Sequence, residues 1–308
     1  MHPRPHLAAA TALFLGLSVL NCAHASPRVL ATIKPVHSLV AAVMEGIATP
    51  ELLIQGAQSE HSYALKPSDA EKIGRAQFIF EIGPDLETYL TRPILALSPK
   101  AVVVVLARSA GVHVLPARRG GLWESAEDPD EGPSDPHIWL DPQNAIAMTR
   151  TIALVLSRAD PSHGKLYSAN RDREISMLAH LEVSLRGRLA PLSGSPYLVF
   201  HDAYQYFERR FDLHPVGAVT VAPDRPVGPR RIEALRNAIV QRGIVCIFRE
   251  PQFTPRLVDT LASGSAARIG VLDPLGATIA PGAELYPRLL TSLSASLTSC
   301  MAPSRKKR

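Results

Sequence analysis

The sequence predicts an α/β protein of two lobes, each with a mainly parallel four-stranded sheet flanked by helices, joined by one long rigid helix. With 308 residues, the chain is long enough for two lobes of roughly 130 residues each. Short apolar runs alternate with longer helical patterns, which is typical of parallel sheets covered by helices. A charged, periodic stretch from Pro161 to Leu189 predicts the long helix.

The first 25 residues predict a secretion signal. Arg4 supplies its positive start, Leu7–Leu20 its apolar stretch, and Ala23-His24-Ala25 a small-residue cleavage pattern. The apolar stretch is shorter than the ~20 residues of a membrane-spanning helix, and no later segment approaches that length. We therefore expect cleavage after residue 25, rather than a lipid anchor on Cys22, and a mature protein that does not span the membrane.

In the first half, the continuous run Val102–Val105 predicts a strand that is covered on both faces. The other strands are predicted at Val29–Ile33, Glu51–Ile54 and Phe78–Ile82, and the helices at Val36–Met44, Ser68–Arg75 and Leu86–Leu95. Residues Arg118–Asp135, which are rich in Gly, Pro and acidic side chains, predict a surface loop. Asp141 then caps a helix that has Pro142 at its first position.

The second half repeats this order of elements. Strands are predicted at Tyr197–Phe200, Val216–Val221, Ile244–Phe248 and Arg268–Leu272, and helices at Ala203–Phe211, Pro229–Arg242, Pro255–Ser263 and Ala283–Leu297. For the long helical stretch Pro161–Leu189, the alternative to a helix between the lobes is a surface helix of one lobe. The predicted division is a signal over 1–25, an N-terminal lobe over 26–158, a linking helix over 159–192, a C-terminal lobe over 193–300 and a basic tail over 301–308.

The charge distribution gives no indication of nucleic-acid binding. The formal net charge is +5. One basic residue of the predicted signal and the four of the tail Arg305–Arg308 account for all of it. The folded body is therefore close to neutral.

Removal of the signal leaves two cysteines, Cys246 and Cys300. An even pair in an exported protein predicts a disulfide. The alternative, two metal ligands, is less favoured because the two positions lack the tight spacing of zinc knuckles.

Polar side chains occur where strands or loops would deliver them to one edge of a sheet, which is where open α/β sheets bind ligands. They are Glu60 and His61 after the second strand, His137 before the capped helix, His201 after the strand Tyr197–Phe200, and Asp273 after the last strand. Three imidazoles and a carboxylate suit zinc. Two of the four sites come from each half, so a bound ion would join the lobes.

Each of these residues alone is a weak indication. His201 could equally be a helix cap or a buried core histidine, and Asp273 before Pro274 is usually a turn former. Asp69 and Asp202 are candidates for carboxylates that orient imidazole N–H groups.

Four segments resemble the zinc-uptake substrate-binding proteins of metal ABC transporters. Leu53–Asp69 resembles their first ligand segment, Asp135–Pro142 the second, Phe200–Phe207 the third and Leu272–Gly276 the last. The resemblance extends in order from about Arg28 to Cys300, essentially the whole mature chain.

This resemblance implies two lobes joined by one long helix, with Zn2+ between them, and it pairs Cys246 with Cys300. It assigns the metal to His61, His137 and His201, with Asp273, or Glu60 in its place, as the fourth ligand. Manganese-binding relatives carry a glutamate at the third position, so His201 favours zinc. Many zinc-binding members carry a histidine-rich loop before the second ligand, but residues 118–136 contain no histidine here.

We therefore expect a monomeric periplasmic protein that captures one zinc ion and delivers it to the permease and ATPase of an ABC transporter. One alternative is a homologue that carries manganese or iron, and another is a metal chaperone or sensor without a transporter. A zinc hydrolase with Glu60 as the base is disfavoured, because no H-E-x-x-H pattern or nucleophile motif is present. We thus expect no enzymatic activity.

Overall fold

The computed structural model describes residues 26–123, 134–220, 223 and 226–302. The predicted signal over 1–25, most of the acidic loop, and residues 303–308 of the predicted basic tail lie outside these described residues.

The first half forms a parallel four-stranded sheet in the order β2-β1-β3-β4. Its elements are β1 (Val29–Ala31), α1 (Lys34–Val43), β2 (Glu51–Leu52), α2 (Pro67–Arg75), β3 (Phe78–Glu81), α3 (Thr91–Leu97), β4 (Val102–Val105) and α4 (Pro142–Ala159). Ile79 packs on one face of the sheet with Ile73 of α2 and Ile94 of α3. Phe80 packs on the other face in the cluster that contains residues of α1 and α4. Helices therefore cover both faces of this sheet, as parallel sheets require.

Strand β4 differs from its prediction. Val102 is 48% exposed and Val103 38% exposed, so the expectation of a strand covered on both faces is wrong for its first two residues. The physical reason is position, because β4 is the edge strand of the sheet and is followed by a 3-10 helix, Leu106–Arg108, rather than by a covering α-helix.

The second half forms a parallel four-stranded sheet in the order β6-β5-β7-β8. Its elements are β5 (Tyr197–Val199), α6 (Gln205–Phe211), β6 (Gly217–Ala218), α7 (Pro229–Gln241), β7 (Cys246–Arg249), α8 (Arg256–Ala262), β8 (Arg268–Val271) and α9 (Leu285–Met301). Within each half the strands follow the same spatial order. The predicted α/β class with two parallel sheets is therefore confirmed.

A 26-residue helix, α5 (Gly164–Leu189), connects the two halves and is flanked by 3-10 helices at Pro161–His163 and Ala190–Leu192. It packs against α1 and α4 of the first half and against α6 and α9 of the second. Because it contacts both halves, the alternative of a surface helix on one lobe is wrong. The residue boundaries assigned to the lobes and tail stay predictions.

The predicted helix Leu86–Leu95 is shorter and later than expected, since α3 begins at Thr91. The carboxylate of Glu87 accepts the N–H of Gly83 at 3.0 Å, which closes a turn where a helix was predicted.

Cys246 in β7 and Cys300 in α9 form a disulfide, with their Cα atoms 6.1 Å apart. The bond attaches the last helix to the second sheet, and the predicted pairing is confirmed. Among the described residues, no helix has both the length and the apolar character needed to cross a bilayer.

Candidate metal centre

Three histidines from distant parts of the chain meet in the structure. His61 lies in the loop between β2 and α2, His137 directly precedes the 3-10 helix Ile138–Leu140, and His201 follows β5. Nε2 of His137 lies 3.2 Å from Nε2 of His61 and 3.3 Å from Nε2 of His201. Because the rings turn the same nitrogen toward one point, they can bind a single ion together.

The N-cap of α4 fixes the position of the segment that carries His137. Asp141 is the N-cap of α4, and its Oδ1 accepts the N–H of Gln143 at 2.8 Å. The guanidinium of Arg210, on α6 of the second half, donates to both oxygens of Asp141 at 2.8 and 2.7 Å. The second lobe therefore helps to position a histidine of the first.

Glu60 completes the cluster. One ligand atom from each of Glu60, His61, His137 and His201 can be chosen so that all four lie within 4.8 Å of one another. Glu60 is 1% exposed, and its Oε1 has no hydrogen-bond partner. Burial raises the pKa of this carboxyl to about 7. A buried carboxylate oxygen without a partner is costly unless a cation or a proton compensates it, so this position is suited to a metal ligand.

The structure does not bring Asp273 into this group of four. Its Oδ1 accepts hydrogen bonds from the amide N–H groups of Leu275 and Gly276 and from Nε2 of Gln252, at 3.1, 3.0 and 3.0 Å. Its Oδ2 accepts the N–H of Ala277 at 2.6 Å. The carboxylate of Asp273 is thus engaged by its own loop.

Two buried carboxylates orient the imidazoles of His137 and His201 through hydrogen bonds to Nδ1. Nδ1 of His137 donates to Oδ1 of Asp135 at 2.8 Å, and Nδ1 of His201 donates to the carboxylate of Glu250 at 2.8 Å. A ring that donates from Nδ1 presents the lone pair of Nε2, so these carboxylates select the tautomer that binds a metal.

Sequence reasoning missed both of these partners. Asp69 instead accepts the hydroxyl of Tyr63 at 2.6 Å, and Asp202 pairs with Arg118, so neither contacts the imidazoles as suggested. Glu250 directly follows β7, so the rule that selected Asp273 after β8 would also have found it.

The three rings differ in their electrostatics. Burial lowers the pKa of His61 and of His137 well below the ordinary value. The rings of His137 and His201 lower the pKa of His61 further, and His201 lowers that of His137, where Asp202 acts in the opposite direction. Burial also acts to lower the pKa of His201, but Glu250, aided by Glu60 and Asp202, outweighs it and raises that pKa to about 9. The raised pKa means that a proton competes with a metal ion for Nε2 of His201, so metal binding at this ring is coupled to proton release.

The cluster opens into a cavity of about 160 Å³. Its walls include the three histidines together with Asp85, Arg118 and Asp202. The side chain of His61 is 24% exposed, compared with 5% for His137 and 3% for His201. His61 therefore lies on the solvent side of the cluster.

The family model and the similar relatives identify the same protein family. The family model described as "Zinc-uptake complex component A periplasmic" matches residues 29–300. The high-affinity zinc uptake system protein ZnuA of Brucella suis is 40% identical over 324 aligned positions, which cover 95% of this chain and 97% of the relative. The protein of the same name from Yersinia pestis is 34% identical over 295 positions, covering 90% of this chain and 92% of the relative.

Solved structures share the fold. A crystal structure of ZnuA superposes with a TM-score of 0.78 at 22% identity, covering 90% of this chain and all of that one. The periplasmic zinc-binding protein TroA from Treponema pallidum gives 0.77 at 22% identity, with 90% and 100% coverage. FpvC from Pseudomonas aeruginosa in complex with Mn2+ also gives 0.77 at 22% identity, covering 90% of this chain and 98% of that one.

Proposed function

Because this chain belongs to the ZnuA family of periplasmic zinc-uptake components, we propose that it binds one zinc ion and delivers it to an ABC-type metal import permease. The single observation that carries the proposal is the convergence of three imidazole Nε2 atoms beside Oε1 of the buried Glu60, an oxygen that has no hydrogen-bond partner. Such a set matches the four-coordinate nitrogen and oxygen sites that zinc prefers.

The proposed ligands are His61, His137, His201 and Glu60. Glu60 is preferred to Asp273 because its Oε1 is buried without a partner, whereas both oxygens of Asp273 already accept hydrogen bonds. The first half supplies three of these ligands and the second half supplies His201, so the ion would hold the two lobes together.

Zinc is preferred to manganese or iron on the chemistry of the donors. Three imidazoles and one carboxylate favour zinc, while manganese is better served by carboxylates, carbonyls and water. The structural relative that holds Mn2+ shares only the fold with this chain, at 22% identity.

The protein works in the periplasm, after removal of residues 1–25, as a monomer that presents zinc to the permease and its ATPase. The family model describes a periplasmic component, and the relatives are named for a zinc uptake system. The family is one of solute-binding proteins rather than enzymes, and we propose that this chain has no catalytic activity of its own.

Zinc binding is tested by titration of the metal-free chain from residue 26 in competition with a chromogenic chelator. We expect one zinc per chain, and a loss of affinity of at least about 100-fold in His137→Ala, because an inner ligand is removed. His180→Ala, at an exposed position on α5, is the matched control and should bind like the wild type. Absence of zinc binding by the wild type, or equal affinities of the two variants, would overturn the proposal.

Delivery is tested in a strain that lacks this chain and is grown with a zinc chelator. Wild-type protein should restore growth and His137→Ala should not, provided that both reach the periplasm in equal amounts. Equal rescue by both would contradict the role in uptake.

A further inference from the structure

A second carboxylate lies beside the cluster but is held by an arginine. Asp202 directly follows His201 and lines the same cavity. Nε of Arg118 donates to both oxygens of Asp202, at 2.9 and 3.0 Å, and Nη2 of Arg118 donates to Oδ1 as well. Both oxygens of Asp202 are thereby occupied on the side of the arginine.

Arg118 is itself held from two further directions. Its Nη2 donates to Oε2 of Glu208 at 2.8 Å, and its guanidinium carbon lies 3.7 Å from the ring centroid of Trp123. The side chain of Glu208 is 3% exposed, and its other oxygen accepts the hydroxyl of Tyr197 at 3.2 Å. The orientation of the guanidinium is therefore determined by its surroundings.

The segment that carries Arg118 belongs to the first half in sequence but packs on the second. Leu122 lies in the apolar cluster that contains Leu198, Phe200 and Val219 of the second lobe. The carbonyl of Leu122 accepts Nη2 of Arg231 at 2.7 Å. These contacts place Arg118 against Asp202 as a stable part of the fold.

An additional carboxylate would change which ion the site prefers. Carboxylate oxygens favour harder ions such as manganese, which take more ligands than zinc does. A site in which Asp202 also reached the metal would contain two carboxylates and a higher coordination number, and its preference for zinc would fall.

We propose that Arg118 is a specificity-determining residue that keeps Asp202 from the metal and so preserves a zinc site of three imidazoles and the Glu60 carboxylate. This inference rests on the proposed zinc-binding function and adds a reason for its selectivity. The other nearby candidate carboxylate, Asp273, is engaged in a comparable way by Gln252 and three amide N–H groups.

The test compares the zinc and manganese affinities of metal-free wild type, Arg118→Met and the double variant Arg118→Met/Asp202→Asn. We expect Arg118→Met to shift the ratio of the two affinities toward manganese by about tenfold or more, the scale of effects from residues that surround a metal site. The double variant should return to the wild-type ratio, because the released side chain is then a neutral amide.

Absorption of bound Co2+ gives a second readout. The d–d bands weaken when the coordination number rises above four, so they should be weaker in Arg118→Met than in the wild type and regain intensity in the double variant. An unchanged ratio and spectrum in Arg118→Met would overturn the proposal. An equal shift in both variants would also overturn it, because the loss of the Arg118 contacts, rather than the Asp202 carboxylate, would then be responsible.

Asp202→Asn alone keeps the test decisive if Arg118→Met does not fold. The proposal expects its zinc-to-manganese ratio to match the wild type, because Asp202 does not reach the metal while Arg118 is present. A loss of affinity in Asp202→Asn that is much larger for one ion than for the other would make Asp202 a ligand and overturn the proposal. An equal loss for both ions, as the unpaired charge of Arg118 would produce, leaves the ratio unchanged and agrees with the proposal. Failure of the wild type to bind zinc in the same titration would instead count against the proposed function.

Discussion

Two buried glutamates, Glu81 and Glu87, lie at the end of β3 and in the turn that follows it. Glu87 is 1% exposed, and burial raises its pKa to about 8, with the charge of Glu81 adding to the effect. Burial likewise raises the pKa of Glu81 to about 7. These groups bind protons more tightly in the folded chain than in the unfolded chain, so folding and proton binding are coupled.

The coupling predicts how the stability of the metal-free protein depends on pH. Between about pH 4.5 and pH 8 an unfolded Glu87 ionises while the folded one keeps its proton, so its contribution to the free energy of unfolding falls as pH rises. Glu87→Gln removes this decrease in the free energy of unfolding, because a glutamine side chain does not ionise. The stability of the variant relative to the wild type should therefore increase with pH across that window, by up to about 1.4 kcal/mol per pH unit.

Urea unfolding at pH 5, 6, 7 and 8 measures this difference. Glu71→Gln, at an exposed position on α2, controls for the general effect of replacing a glutamate by an amide. A difference between Glu87→Gln and wild type that stays constant with pH would contradict the prediction.

At the scale of elements, the short strand β6 is notable for its neighbour from the other half of the chain. Gly217 of β6 lies directly beneath Leu122, and a Cβ built on this glycine would collide with the Cβ of Leu122 and lie 2.9 Å from its carbonyl oxygen. Only glycine allows the 3-10 helix Gly121–Trp123 to lie so close to the sheet.

Gly217→Ala should therefore lower the free energy of unfolding by about 1–3 kcal/mol, because the segment around Leu122 must move away from the second lobe. Gly194→Ala is the matched control, since nothing lies within 4 Å of its added Cβ. Chemical denaturation of both variants measures the effect. Equal stability of the two would show that the contact of Gly217 with Leu122 is readily relaxed.

At the scale of the whole molecule, a lysine of the first half contacts the loop that follows Asp273 in the second half. Lys34 is the first residue of α1, and its Nζ donates to the carbonyls of Gly276, Ala277 and Ile279 at 2.7, 2.9 and 2.7 Å. A positive charge at the N-terminus of a helix interacts unfavourably with the helix dipole, so Lys34 does not stabilise α1 by its charge. The hydrogen bonds to the three carbonyls explain why a lysine occupies this position. Burial lowers the pKa of Lys34, while Asp273 acts to raise it.

Replacement of Lys34 by Met should lower the free energy of unfolding by about 2–4 kcal/mol, because three carbonyl groups lose their donor. Lys100→Met, at an exposed position before β4, should have little effect. Thermal and urea denaturation of the metal-free variants provide the measurement. Unfolding of Lys34→Met at the same urea concentration as Lys100→Met would exclude a stabilising role for the link.

The sequence by itself determined the class of fold, the order of its strands and helices, and the cysteines of the disulfide. It also selected Glu60, His61, His137 and His201, which the structure brings together, and Asp273, which the structure leaves outside that group. Local patterns carry this information because periodicity, capping residues and strand ends depend on near neighbours along the chain.

The tertiary structure alone decided that Glu60 rather than Asp273 lies in the cluster, that Glu250 orients His201, and that the segment carrying Arg118 packs on the second lobe. Each of these contacts depends on how the two lobes are placed against each other. That placement follows from packing of the whole molecule, through α5, the contact of α1 with α9 and the link from Lys34, which no local pattern in the sequence reports.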